Sequence, residues 1–95
     1  MEFRVASAAE SATAIRVTVR LFAHYAELTG SDAVALELPS GATVADAVAA
    51  LRRQVNNGEK LPTRPLAAVH LTHVLPDRRL SDGDELALLP PLSGG

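Results

Sequence analysis

The residues best placed to carry chemistry in this chain stand at its end, Pro90-Pro91-Leu92-Ser93-Gly94-Gly95. The α-carboxylate of Gly95 is a reactive group on a thin arm. Gly94 and Gly95 have no Cβ, so the walls of a narrow cleft can approach their backbone closely. Pro90 and Pro91 stiffen the exit into an extended form. Six extended residues reach about 20 Å. An ordinary frayed terminus is the competing reading, and the body of the chain has to decide between them.

Other candidate groups are weaker. His70 and His73 suggest a metal, yet on one strand residues three apart face opposite ways, and no cysteine completes a site. Asp82, Asp84 and Glu85 lack the ligand spacing of a calcium loop and read as turn chemistry. Arg52-Arg53 is a possible phosphate contact, but it reads better as the solvated end of a helix. No glycine loop of the phosphate-cradling type is present. We therefore expect no metal and no bound cofactor.

Composition narrows the class further. Ninety-five residues make one domain, and the absence of cysteine excludes disulfides, zinc-thiolate sites and a cysteine nucleophile. The net charge of -2 has its acids and bases interspersed, which argues against a nucleic-acid partner. Phe3, Phe22 and Tyr25 are the only aromatic residues, so the core must be aliphatic. No apolar run has the length of a membrane span, and the N-terminus lacks the apolar stretch of a signal peptide. The expected compartment is the cytoplasm.

The elements that would position the arm follow from periodicity. Residues 1–14 are small and polar and read as a disordered leader. Ile15, Val17, Val19 and Leu21 alternate with Arg16, Thr18, Arg20 and Phe22, which predicts a half-buried strand with Phe22 on its outward face. Tyr25 and Leu28 fit one short helical turn that Gly30 breaks. Val34, Leu36 and Leu38 mark a second strand, antiparallel to the first and closed by Pro39-Ser40-Gly41. Thr43 caps the main helix with Asp46 as its capping-box acid, and Val44, Ala47, Val48, Leu51 and Val55 form its apolar stripe. Asn56-Asn57-Gly58 ends it, with Gly58 as the expected left-handed cap. A linker, Glu59 to Pro65, leads to a strand region from Leu66 to Val74 that bends near Thr72. After a turn at Leu75-Pro76-Asp77, Leu80 plugs the core. A second turn at Ser81-Asp82-Gly83-Asp84 leads into a last strand, Glu85 to Leu89. Leu86 and Leu88 share one face of it, and Leu89 lies on the other with Phe22 as a second outward apolar group.

This order predicts an α+β fold, one mixed sheet with one main helix packed across it; the pattern carries no strand order, and the simplest arrangement makes the first and last strands central parallel neighbours. That is the ubiquitin-like β-grasp, with the domain at residues 15–89 and an extended, flexible tail at 90–95.

The segments Leu66-Ala67-Ala68-Val69, Leu80-Ser81-Asp82-Gly83-Asp84-Glu85-Leu86 and Pro90-Pro91-Leu92-Ser93-Gly94-Gly95 together resemble the MoaD family, the small sulfur-carrier subunits of molybdopterin synthase. The resemblance spans Ile15 to Gly95. His70 departs from it where the family commonly has Asn, and His73 departs at an often apolar position of the partner surface. The resemblance implies that ATP, on a separate E1-like (MoeB-like) enzyme, converts the Gly95 carboxylate to an acyl-adenylate. A sulfur donor protein then displaces AMP to leave a thiocarboxylate. The tail, Pro90 to Gly94, threads into a large MoaE-like subunit, where sulfur passes to a cyclic pyranopterin. Leu92 would anchor the arm, and Phe22, His73 and Leu89 would contact the partner. The chain would then be a co-substrate rather than the owner of an active-site pocket. A carrier for thiamine or cysteine synthesis, a protein modifier conjugated to lysines, and a binding domain with an inert tail are the alternatives.

Overall fold

The computed structural model describes residues 14–91. The expectations for residues 1–13 of the leader and for Leu92, Ser93, Gly94 and Gly95 lie outside the described residues, while Ala14, read as the last leader residue, opens the first strand. Five strands form one sheet: β1 (Ala14–Leu21), β2 (Ala33–Pro39), β3 (Leu66–Val69), β4 (Thr72–Val74) and β5 (Glu85–Leu89). Two helices accompany them, a short α1 (His24–Thr29) and the main helix α2 (Val44–Gln54). The strand order is β2-β1-β5-β3-β4, with β1 and β5 parallel and the other neighbours antiparallel. The parallel pair at the centre joins the first strand to the last, the simplest arrangement of the expected elements.

The core forms because each strand gives one face to it, β4 through the half-buried Val74. Ile15, Val17, Val19 and Leu21 from β1 lie with Leu36 and Leu38, Ala67 and Val69, and Leu86 and Leu88. Val44, Ala47, Val48 and Leu51 of α2 cover them, and Tyr25, Leu61 and Leu80 close the ends. Burying a leucine such as Leu86 contributes about 2–3 kcal/mol. Period two on the strands and the 3.6-residue stripe on α2 therefore point at the same space.

Helix α2 starts as expected. Thr43 Oγ1 accepts the Asp46 N–H at 3.2 Å, and Asp46 Oδ2 accepts the Thr43 N–H at 2.9 Å. The free N–H groups of Val44 and Ala45 donate to the carbonyls of Arg78 and Pro76, each at 2.9 Å. The first turn is thus satisfied by its own cap and by the segment that leads to Leu80.

Three expectations need correction. Gly58 is not the left-handed cap: Asn57 takes that conformation with φ 59°, and Val55 ends α2 in an extended one. Asn tolerates this region, and its side chain donates to the Leu28 carbonyl at 2.7 Å. Arg52 is not a solvated helix end. Its guanidinium donates to the carbonyls of Leu61 at 2.9 Å and Glu59 at 3.2 Å, which ties the following 3-10 turn, Gly58–Lys60, to the helix. Finally, Leu66 to Val74 does not bend near Thr72. It reverses completely at His70 and Leu71, with φ 52° and 64°, into the hairpin β3–β4. Two consecutive left-handed residues make the turn whose twist matches antiparallel strands, here without the usual Asn-Gly.

Candidate functional site

The outer face of the sheet, opposite α2, leads to the place where the tail leaves the domain. Its rows follow from register. Arg20 is the partner of Ala87, Ala87 of Ala68, and Ala68 of His73, so these four cross the sheet side by side. Leu66 pairs with Leu89 one row nearer the tail. One step beyond the pair Leu21–Leu88, the register sets Phe22 beside Leu89, and one step beyond Ala67–Val74 it sets Leu75 beside Leu66. Phe22 (41%), Leu66 (43%) and Leu75 (71%) are exposed, while Leu89 and Pro90 are half-buried. A continuous apolar row therefore borders the exit of the tail.

Two shallow depressions flank it. One of about 310 Å³ places His73 with Leu66, Leu75 and Arg64 at the β4 edge. Another of about 200 Å³ is lined by Arg20, Phe22, Ala68, His70, Glu85 and Ala87. Arg20 holds its centre, with one guanidinium nitrogen 3.3 Å from Glu85 Oε2 and Cζ 6.0 Å from the Phe22 ring centroid.

Phe22, His73 and Leu89, named from sequence, thus lie on one face. Pro90 and Pro91 stand at its border. Leu66 and Leu75 were missed. Leu66 opens an uninterrupted apolar run, Leu66-Ala67-Ala68-Val69, whose parity cannot be read without knowing that Ala67 and Val69 face inward. Leu75 was assigned only to a turn, and it joins the row because of the hairpin.

The histidines are separated. His73 sits on the outer face beside Ala68, whereas His70 occupies the turn with its Nε2 3.5 Å from Asp84 Oδ1. Asp84 is buried and its other oxygen accepts the Ser81 N–H at 2.8 Å, fixing the turn before β5. The neighbouring Asp82 accepts the Arg16 N–H at 2.8 Å, and Gly83, at φ 88°, donates to the Arg16 carbonyl. These acids therefore serve the turn. Among the described residues no group of three or more metal-ligating side chains is assembled, and no helix is long and apolar enough to cross a membrane.

A sheet face with an apolar border and a tail beginning at that border can present the tail to another protein. The sequence matches the ThiS family over residues 19–95, most of the chain and all of its C-terminal part. The chain belongs to the ThiS family. Among curated relatives it is 36% identical over 85 residues to the molybdopterin synthase sulfur carrier subunit of Escherichia coli, covering 83% of this chain and 99% of that one. It is 29% identical over 86 residues to the protein of the same name from Arabidopsis thaliana, covering 90% of each. Among solved structures it is similar to SAMP1, the small archaeal modifier protein 1 of Haloferax volcanii. That match has 30% identity and a TM-score of 0.73 over 84% of this chain and 99% of the other. A Helicobacter pylori complex of subunits 1 and 2 of molybdopterin-converting factor shares the fold at 22% identity and a TM-score of 0.60, covering 85% and 100%. This ThiS-family chain is thus an α+β protein of the ubiquitin-like β-grasp kind.

Proposed function

We propose that this chain is the sulfur-carrier subunit of a molybdopterin synthase, with the Gly95 carboxylate as the carrying group. The observation that supports this most directly is the row Phe22–Leu89–Leu66–Leu75 beside the exit of the tail. An apolar row at that position docks the domain while the arm beyond Pro91 enters a partner's cleft. The names and identities of the curated relatives point to the same role. Subunits 1 and 2 of the Helicobacter pylori molybdopterin-converting factor form a complex, and we take the partner of this chain to be a large subunit docked on this face.

The chemistry runs in three steps. A carboxylate cannot exchange oxygen for sulfur directly, because oxide would have to leave. An E1-like enzyme first joins the Gly95 carboxylate to the AMP part of ATP and releases pyrophosphate. Hydrosulfide released by a donor protein next attacks the acyl carbon, the C–O bond to AMP breaks with AMP taking the electron pair, and a thiocarboxylate remains. The large subunit then positions this sulfur against a cyclic pyranopterin. The chain itself binds no cofactor, and its work is to dock and to extend. The setting is the cytoplasm, where ATP and the reduced sulfur donor are found together.

Mass spectrometry tests the reading. After incubation with ATP, an adenylating enzyme and a sulfur source, the intact chain should gain about 16 Da, one oxygen replaced by sulfur. It should then lose that gain when mixed with the large subunit and cyclic pyranopterin. A chain that never gains sulfur is not a carrier.

The likeness to a small archaeal modifier protein supports a second reading, conjugation to lysines of other proteins. Isopeptide-linked products in place of thiocarboxylate in the same incubation would favour it.

A further inference from the structure

Arg20 carries a polar atom that the free domain leaves unused. Its Nε is buried and has no hydrogen-bond acceptor among the described residues. A buried donor left unpaired costs free energy, so its presence asks for a reason. The rest of the guanidinium is held loosely. One terminal nitrogen, Nη1, donates to Glu85 Oε2 at 3.3 Å, and the two side chains are 43% and 59% exposed. An exposed pair of that length contributes little and is exchanged at little cost.

The neighbours of Arg20 are small. In register it stands between Ala33 and Ala87, and Ala87 stands beside Ala68. Alanines thus floor a trough across the outer face. The row Phe22–Leu89–Leu66 bounds it on the tail side, and the register partners Thr18 and Glu85 bound it on the other. The depression over Ala68 and Ala87 holds about 200 Å³. That admits one side chain and is below the size of ordinary small-molecule sites. Around this depression and the one at the β4 edge, two permanent cations, Arg20 and Arg64, face a single acid, Glu85. The face is therefore complementary to a negative group.

We propose that Arg20 is the residue by which this face selects its partner: it leaves Glu85 and takes a carboxylate, an aspartate or glutamate side chain of the large subunit, on the fork made by Nε and Nη2. A guanidinium presents those two N–H groups in parallel, in the spacing of two carboxylate oxygens. Release from Glu85 lets the side chain turn so that Nε faces outward, and the contact supplies the acceptor that Nε lacks in the free domain. The Phe22 ring, its centroid 6.0 Å from Arg20 Cζ, and the tail-side row shut water out of the new pair as the partner closes. A pair shielded in this way counts for more than the exposed one it replaces.

The inference rests on the proposed carrier role for the identity of the partner, and the two fail in different ways. The full chain is titrated calorimetrically with the large molybdopterin synthase subunit of the same organism, at low and at high salt. Arg20→Gln should bind at least about ten-fold more weakly at low salt and with a flatter salt dependence, while melting close to the wild type. Arg20→Lys keeps the charge without the fork and should recover only part of the loss. Glu85→Gln removes the competing acid and should bind about three-fold more tightly than the wild type, or better. A purely structural role for the Arg20–Glu85 pair predicts the opposite, an equal loss in Arg20→Gln and Glu85→Gln. Wild-type affinity in Arg20→Gln, or weakened binding in Glu85→Gln, would overturn the proposal and leave the carrier role standing. A wild-type chain that does not bind the large subunit would remove the partner and both readings together.

Discussion

The α-carbon of Gly58 is seated against the backbone carbonyl of Arg52, so close that a β-carbon there would overlap it. Gly58 has no positive φ. It is glycine because of this approach, which lets the 3-10 turn fold back under the end of α2. Gly58→Ala must displace backbone rather than a flexible side chain, and should cost about 2–4 kcal/mol. Gly41→Ala is the comparison: φ is 89° with open space around it, so the cost is backbone strain alone, about 1–2 kcal/mol. Urea denaturation of the two variants measures the difference. Equal losses would show that the turn yields easily.

Thr43 and Asp46 bond reciprocally across the first turn of α2. Thr43→Ala removes one of those bonds and leaves the Asp46 N–H unsatisfied, an expected loss of about 1 kcal/mol. Thermal melts of Thr43→Ala and Thr43→Ser check it, since serine retains the acceptor and should recover most of the stability.

Phe22→Asp and Leu89→Asp put a charge into the apolar row beside the tail. Both residues face away from the core side of the sheet, so the free domain should lose less than about 1 kcal/mol. Binding to the large subunit should weaken at least ten-fold, because the new carboxylate would be desolvated against an apolar surface. Titration calorimetry together with melts separates these effects. Unfolding of Leu89→Asp would place its side chain in the core after all.

Burial raises the pKa of the Tyr25 hydroxyl above its ordinary value of 10.0, because the charged form is poorly solvated there. The folded state then holds this proton more tightly than the unfolded chain. The resulting stability is fully present below pH 10 and is lost as pH rises through the folded-state value. Wild-type stability should fall between pH 10 and 11 more steeply than that of Tyr25→Phe. Parallel curves in urea titrations across that range would remove Tyr25 as the cause.

Gly94→Ala keeps the Gly95 carboxylate and adds one methyl group to the arm. In water this changes little, so the variant should melt like the wild type. In a cleft fitted to bare backbone the methyl pushes the arm back, and a displacement of about 1 Å at the reacting centre costs on the order of a hundredfold in rate. Single-turnover sulfur transfer from the thiocarboxylated chain measures this. Pro91→Gly should instead act by loosening the arm, a smaller loss of entropic origin.

Much of this architecture was legible locally. The alternation of Ile15, Val17, Val19 and Leu21, the Thr43–Asp46 pair and the α2 stripe each depend on contacts within a few residues, and each appears as read. The central parallel pairing of β1 and β5 was legible only as the simplest topology for that element order. Asn57 and Gly58 were misassigned because a glycine ending a helix signals both a positive φ and a close approach, and only the path of Arg52 tells which applies. The hairpin at His70-Leu71 was hidden because neither residue is a usual turn former, and the turn is held by strand pairing and by Asp84.

By itself the sequence pointed to the chemistry proposed for Gly95, since the Gly-Gly pair after Pro90-Pro91 and the absence of cysteine are facts of composition and order. It also determined which strand residues share a face, because the pleat has period two. What only the tertiary structure decided is which residues from different strands stand side by side. Phe22, Leu66, Leu75 and Leu89 form one row because registers set by hydrogen bonds between distant segments align them, and no local pattern carries a register between residues so far apart in the chain.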